Sequence, residues 1–136
     1  HMRGEPRSMQ RAPRYGDVVG EVRSFLRNRV ACARHAGVTE VWVDPGIGFG
    51  KTPAHNLSLL RHLEELVGDG TPVAVGTSRK SFLGGLTGGA GPEDRLEASV
   101  ATAVWAATKG VGMVRVHDVG ATVQAMRVVA GEVTAA

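Results

Sequence analysis

Asp44-Pro45-Gly46-Ile47-Gly48-Phe49-Gly50-Lys51-Thr52, preceded by Val41-Trp42-Val43, decides how this chain is read. The apolar, β-rich triplet reads as a buried strand, and the glycine-rich segment behind it as a loop leading into a helix. Asp44 then stands at the carboxyl end of a strand, the rim on which parallel α/β folds bind ligands. Gly46, Gly48 and Gly50 allow positive φ or a close backbone approach to a ligand. The stretch matches neither the P-loop nor the dinucleotide fingerprint, and an ordinary βα turn would also tolerate this much glycine.

Outward from this loop, helix and strand patterns alternate. Upstream, Asp17 is the expected N-cap of a helix on which Val18, Val22, Phe25, Leu26, Arg29, Val30 and Ala33 recur at helical spacing, with Gly37 as its stop. Downstream, Pro53 suits the first turn of a second helix, striped by Leu57, Leu60, Leu63, Leu66 and Val67 and ended by Gly68 and Gly70. Pro72-Val73-Ala74-Val75-Gly76 reads as a second strand, with its proline at the first position, where a missing N–H is tolerated. A third helix is expected from about Pro92, Glu93 and Asp94 to Gly110, with Leu96, Val100, Ala103, Val104 and Ala107 on one face. Met113 to His117 reads as the third strand and Ala121 to Val133 as the last helix.

Strict alternation of this kind argues for a parallel sheet with right-handed crossovers. Asp44, Lys80 and Arg115 follow one another at intervals of 36 and 35 residues. That interval is about one βα unit of a barrel whose eight units take roughly 250 residues. The expected fold is therefore α/β, of the parallel (β/α)8 TIM-barrel type, with these residues supplying about half of one domain. Half a barrel leaves two strand edges to be covered by further chain or by a partner.

Composition narrows the function classes. At 136 residues, 43% hydrophobic and 21% charged, the chain has the balance of a soluble globular domain or part of one. A net charge of +3, with three Phe, two Trp and one Tyr to stack on bases, argues against a nucleic-acid partner. Arg3, Arg7, Arg11 and Arg14 concentrate positive charge in a segment expected to be a solvated loop. No apolar run is long enough to span a membrane, and no signal-like segment opens the sequence. The single Cys32 cannot form an internal disulfide and is expected as a small buried hydrophobe, which fits a reducing cytoplasm.

The chemistry-bearing residues gather at one rim if the three strands stand side by side. Arg115 and His117 share a strand face, while Val114 and Val116 point the other way, toward the helices. Burying Arg115 is costly without a compensating anion, and a phosphate or pyrophosphate would supply one. An internal ion pair to Asp118 explains the same residues equally well. Ser78-Arg79-Lys80-Ser81 lies at a strand end leading into a short helical turn, where anions are favoured and Ser81 can donate to a carboxylate. Phe49 suits the wall of an aromatic ligand site or ordinary packing beneath the loop. Asp44 can accept two adjacent N–H donors, as a 2-amino-4-oxo-pyrimidine ring presents.

Three motifs together, Asp44-Pro-Gly-Ile-Gly-Phe-Gly-Lys-Thr with His55-Asn56-Leu57, Gly76-Thr-Ser-Arg-Lys-Ser81 and Arg115-Val-His-Asp118, resemble the dihydropteroate synthase family in order and spacing. The opening His1-Met2-Arg3-Gly4-Glu5-Pro6, with Met9-Gln10, resembles that family's segment at the end of the fifth barrel strand. The resemblance implies that residues 1–136 form the carboxyl-terminal half of a single pterin-binding TIM-barrel domain. It further implies an enzyme that joins 6-hydroxymethyl-7,8-dihydropterin pyrophosphate to p-aminobenzoate, forming dihydropteroate and pyrophosphate. By the same resemblance, Asp44, Gly76, Lys80 and Arg115 bind the pterin, and Arg115 and His117 hold the pyrophosphate. Phe49, Lys80 and Ser81 line the p-aminobenzoate pocket that sulfonamides mimic, and Asp44, Lys80 and Arg115 carry the catalysis.

Mg2+ as a diphosphate-bridging cofactor, with its protein ligand upstream of His1, and a homodimer formed through the last helices are likewise implied. The family's first-strand Asn, its two mobile amino-terminal loops and its further pterin-binding Asp and Asn have no counterpart here, so these residues alone are expected to lack turnover. A catalytically silent paralogue that binds a pterin or an anion is the alternative. A corrinoid-linked pterin methyltransferase shares the barrel but has no need of Arg115, His117 or the Ser-Arg-Lys-Ser turn.

Overall fold

The structure, a computed structural model, describes residues 1–131. Its first helix, α1, spans Val18–His35. Asp17 caps it as expected: Oδ1 accepts from the N–H groups of Val19 and Gly20 at 3.1 Å each, an arrangement worth about 1 kcal/mol. Glu21 reaches back to the N–H groups of Gly16 and Asp17 at 2.8 and 3.2 Å, satisfying donors ahead of the cap. The face formed by Val18, Val22, Leu26 and Val30 is buried. Phe25 and Arg29, expected on that face, and Cys32, expected buried, fall outside the core. Phe25 is exposed and stands edge-on to the His1 ring, and Cys32 is exposed rather than buried. The cause for Cys32 is rotational, since two residues beyond the buried Val30 carries a side chain to the opposite side of a helix.

The second helical stretch is divided. α2 (Pro53–Arg61) and α3 (Leu63–Val67) meet at His62, whose ring lies 2.8 Å from the Ser58 carbonyl. The stripe survives the break, with Leu59, Leu60, Leu63 and Leu66 buried and Leu57 and Val67 packed against the core. At its start, Thr52 Oγ1 accepts from His55 N–H and His55 Nδ1 accepts from Thr52 N–H, both at 3.2 Å, a capping box built with histidine.

The strands are shorter than the sequence pattern suggests. β1 is Ala74–Val75 and β2 is Met113–Val114, paired in parallel with Ala74 opposite Met113. The segment expected as a strand at 41–43 contributes a single parallel bridge, Val43 to Val73. Hydrogen bonds nevertheless run beyond those pairs: Val43 N–H to the Pro72 carbonyl at 2.9 Å, Ala74 N–H to Val43 at 2.8 Å, and Arg115 N–H to Val75 at 2.9 Å. All three segments therefore run side by side in one direction, and their carboxyl ends share one rim. Only one side of the Val43 segment is paired among the described residues, which explains why its ladder is minimal.

Beyond β1 come α4 (Ser81–Leu86), a 3-10 turn at Pro92–Asp94, and α5 (Leu96–Thr108), closed by Gly110 at φ 83. α5 buries Ser99, Ala103 and Ala106; Leu96 and Ala107, expected on its inner face, are exposed. Trp105 lies at the helix edge and donates from Nε1 to the Leu60 carbonyl at 2.8 Å, tying α5 to the end of α2. The last helix, α6 (Val119–Ala130), starts two residues earlier than expected and ends on Gly131 in the left-handed region; Val133, its expected end, lies outside the described residues. Among the described residues, no helix is long and apolar enough to cross a membrane.

Candidate active site

The glycine loop is held from inside. Asp44 Oδ1 accepts from Gly46 N–H at 2.7 Å, Asn56 Oδ1 accepts from Gly48 N–H at 2.8 Å, and Phe49 N–H returns to the Gly46 carbonyl at 3.1 Å. Gln10 and Tyr15 brace it from the preceding segment, donating to the Gly48 and Gly50 carbonyls at 2.6 and 3.0 Å. At the centre is Lys51, 3% exposed, whose ammonium donates to the carbonyls of Gly46 at 2.8 Å, Phe49 at 3.0 Å and His1 at 3.4 Å. Burial pushes its pKa down to about 8. With its polar groups satisfied internally, the loop presents the Phe49 ring outward, 39% exposed.

Lys80 reaches this ring from the turn after β1. Its stem crosses Gly48: a Cβ at position 48 would sit 2.9 Å from Lys80 Cδ, and the local φ of 83 independently favours glycine. The ammonium donates to the Ile47 carbonyl and stands 4.6 Å from the Phe49 ring centroid, within cation–π range. Burial lowers the pKa of Lys80 to about 8; Asp44 opposes that shift and the cationic Arg115 adds to it. An ammonium has three donors, and one of them finds a protein acceptor among the described residues.

The third strand end supplies Arg115 and His117. Arg115 and His117 are both exposed and share a face, while Val114 packs toward the core. The Arg115 guanidinium lies over the bare backbone of Gly76, where a Cβ would meet Nη2 at 3.0 Å and Nε at 3.3 Å. Among the described residues, no carboxylate lies within ion-pair distance of Arg115; Asp118 is bound to Arg79 instead, so the internal pair weighed from sequence does not form. His117 is fixed by the buried Ser78, whose Oγ is 3.1 Å from its N–H and 2.9 Å from Nδ1. Ser78 can accept from the first and donate to the second, leaving the ring's Nε2–H as the outward donor.

Asp44, Gly76, Lys80, Phe49, Arg115 and His117 thus share one rim, with Lys80 joining the first loop to the second. Ser81 opens α4, is exposed, and makes no side-chain hydrogen bond among the described residues. Pattern reading missed Lys51, Asn56, Ser78 and Arg79 as the residues that brace these loops. A lysine directly behind alternating glycines was the available signal for Lys51; nothing local marked Arg79. A half-open pocket of about 180 Å³ lies elsewhere, between α1 and α3, lined by Leu26, Val30, Val43, Leu66, Asp69 and Thr71. It borders the Val43 segment and holds none of the rim groups.

The rim is thus a parallel α/β unit that carries cations, one carboxylate and an aromatic ring at its strand carboxyl ends, groups able to meet an anionic or ring-bearing ligand. The chain belongs to the family described as pterin binding enzymes, whose sequence model matches residues 1–117. It is 46% identical to the dihydropteroate synthase of Escherichia coli K12 over 99% of this chain and 48% of that protein. The crystal structure of the Thermus thermophilus dihydropteroate synthase in complex with 6HMPPP superposes at a TM-score of 0.93, with 47% identity over 97% of this chain and 53% of that one. The same protein in complex with 4-aminobenzoate gives 0.90 over 94% and 52%. The chain spans about half the length of the curated relatives it matches, and its fold is that of about the last half of a (β/α)8 TIM barrel.

Proposed function

We propose that the full-length protein carrying these residues is a dihydropteroate synthase, with residues 1–136 as the carboxyl-terminal half of its single barrel domain. The observation that carries this reading is the placement of Lys80 between the Phe49 ring and the Asp44 loop, beside an Arg115 that has no protein carboxylate among the described residues. Asp44 and Lys80 hydrogen-bond the pterin ring, and Arg115 lies flat over Gly76, where a planar ring can stack on it. Arg115 and the His117 Nε2–H take the pyrophosphate, and Phe49, Lys80 and Ser81 receive p-aminobenzoate.

In the reaction, the C–O bond between the pterin methylene and the pyrophosphate breaks, with both electrons leaving on oxygen. The amine lone pair of p-aminobenzoate forms the new C–N bond and the nitrogen then loses a proton. No Ser, Cys or His nucleophile is required. The site's contribution is electrostatic: fixed cations at the departing pyrophosphate and a carboxylate near the electron-poor ring.

Among the described residues, no group of three His, Cys, Asp or Glu could hold a metal ion, and Asp118 is committed to Arg79. A diphosphate-bound Mg2+ takes one or two protein carboxylates besides water and phosphate oxygens; with Asp118 held by Arg79, we assign those ligands to the other half of the barrel. A homodimer through α6 is consistent with the exposed apolar side chains of Val119, Val123 and Val129. A cytoplasmic location is consistent with the exposed, unpaired Cys32.

The test is p-aminobenzoate-dependent release of pyrophosphate from the dihydropterin substrate. The full-length protein is expected to turn over and residues 1–136 alone are not. A folded full-length protein that binds the pterin without turnover would replace this reading with that of a silent paralogue.

A further inference from the structure

The most constrained residue on the rim is one that touches no expected ligand. Arg79 is the one non-glycine residue with a left-handed backbone among the described residues, at φ 57. Such a conformation persists where the surroundings over-determine it, and here each polar group of Arg79 is held. Its N–H donates to Ser99 Oγ at 2.9 Å and its carbonyl accepts from Arg95 Nη1 at 2.9 Å. Its guanidinium forms a two-pronged pair with Asp118, Nη2 to Oδ1 at 2.8 Å and Nε to Oδ2 at 3.2 Å. The remaining nitrogen, Nη1, meets Glu93 Oε2 at 2.8 Å.

Arg79 lies between Ser78, which holds His117, and Lys80, which meets Phe49. Asp118 directly follows His117 and accepts through its carbonyl from Thr122 N–H at 3.1 Å, in the first turn of α6. The pair is therefore a tie between two separate loops, one carrying Lys80 and the other carrying Arg115 and His117. Resting on the synthase reading of this rim, we propose that Arg79 and Asp118 are a positioning pair. They set the distance between the pterin-side cation Lys80 and the pyrophosphate-side groups Arg115 and His117.

The proposal has a sign that simple charge does not. Asp118 is a carboxylate beside an anion site, so by charge alone its removal tightens pyrophosphate. If it positions Arg115 and His117, its removal weakens pyrophosphate. Binding of inorganic pyrophosphate to the full-length protein is measured by calorimetry for Asp118→Asn, Arg79→Gln, the double variant and Glu93→Gln, with circular dichroism melts alongside.

Each of the first two is expected to weaken binding about fivefold or more, the double variant no more than the worse single, and Glu93→Gln, whose carboxylate is largely exposed, less than about twofold. Unchanged or tighter binding in Asp118→Asn, losses that multiply in the double variant, or an equal loss in Glu93→Gln would each overturn it. Should Arg79→Gln fail to fold, the near-isosteric Asp118→Asn decides by its sign. Turnover of the unsubstituted protein is scored separately: its absence with the coupling intact refutes the synthase reading and leaves the pair standing, whereas absence of pyrophosphate binding refutes both.

Discussion

Lys51 and Lys80 both donate to carbonyls of the same glycine loop, and burial pushes both to a pKa of about 8. They differ in what satisfies them. Lys51 is enclosed and its ammonium meets the carbonyls of Gly46, Phe49 and His1, so its donors are spent on the fold. Lys80 has one carbonyl, that of Ile47, and otherwise faces an aromatic ring and open rim. A depressed lysine pKa thus does not by itself mark function. The second lysine differs in being half-buried with donors that the protein leaves unspent, which a ligand at the rim would take up.

The largest effect that bears on this contrast is expected at Arg115, the cation neighbouring Lys80. Arg115→Ala should lower kcat/KM of the full-length protein for the dihydropterin pyrophosphate by about two to three orders of magnitude, as removal of a transition-state donor does. An unchanged urea midpoint would show that the loss is catalytic. Lys51→Met should do the reverse, costing stability by about 2 kcal/mol in urea unfolding because buried carbonyls lose their donor. A Lys51→Met protein of full stability would contradict a structural role for Lys51.

Gly76→Ala tests the floor beneath Arg115. Its Cβ would force the guanidinium to shift by a few tenths of an ångström. About a tenfold rise in KM for the pterin substrate is expected, with little change in melting temperature, since small misplacements of a binding group are costly.

The smallest effect is on pH. Both lysines have folded-state pKa values below those of the unfolded chain, so between about 8 and 10.5 the unfolded chain binds more protons and stability rises with pH. Tyr15, whose pKa is raised by burial of its phenol, opposes this only from about pH 10 upward. Urea midpoints that climb between about pH 8 and pH 9.5, and climb less in Lys51→Met, would match. Over the same range, turnover that depends on a charged Lys80 should fall as pH rises through about 8.

Much of this was legible in the sequence, for reasons that differ from element to element. Asp17, Gly37 and Pro53 mark helix ends through local chemistry, and the structure places the ends beside them. Asp44, Lys80 and Arg115 reached one rim because the βα interval repeats, a property of the chain rather than of any contact. What stayed hidden depends on three-dimensional partners. Cys32 looked buried because helical spacing defines a face only to within a residue or two, and it sits on the far side. The strand expected at Val41–Val43 is reduced to one bridge because strand length is set by neighbours. The roles of Lys51 and Arg79 come from carbonyls and a carboxylate that are distant in sequence or invisible to side-chain pattern.

The central claim is that Lys80 is the working cation of this rim. The measurement that tests it most directly is p-aminobenzoate-dependent pyrophosphate release by the full-length protein and by Lys80→Ala, each paired with its urea unfolding curve. Turnover is expected in the first, a fall of at least about a hundredfold in the second, and unfolding curves that superimpose. A Lys80→Ala protein that turns over within a few-fold of the unsubstituted enzyme would contradict it.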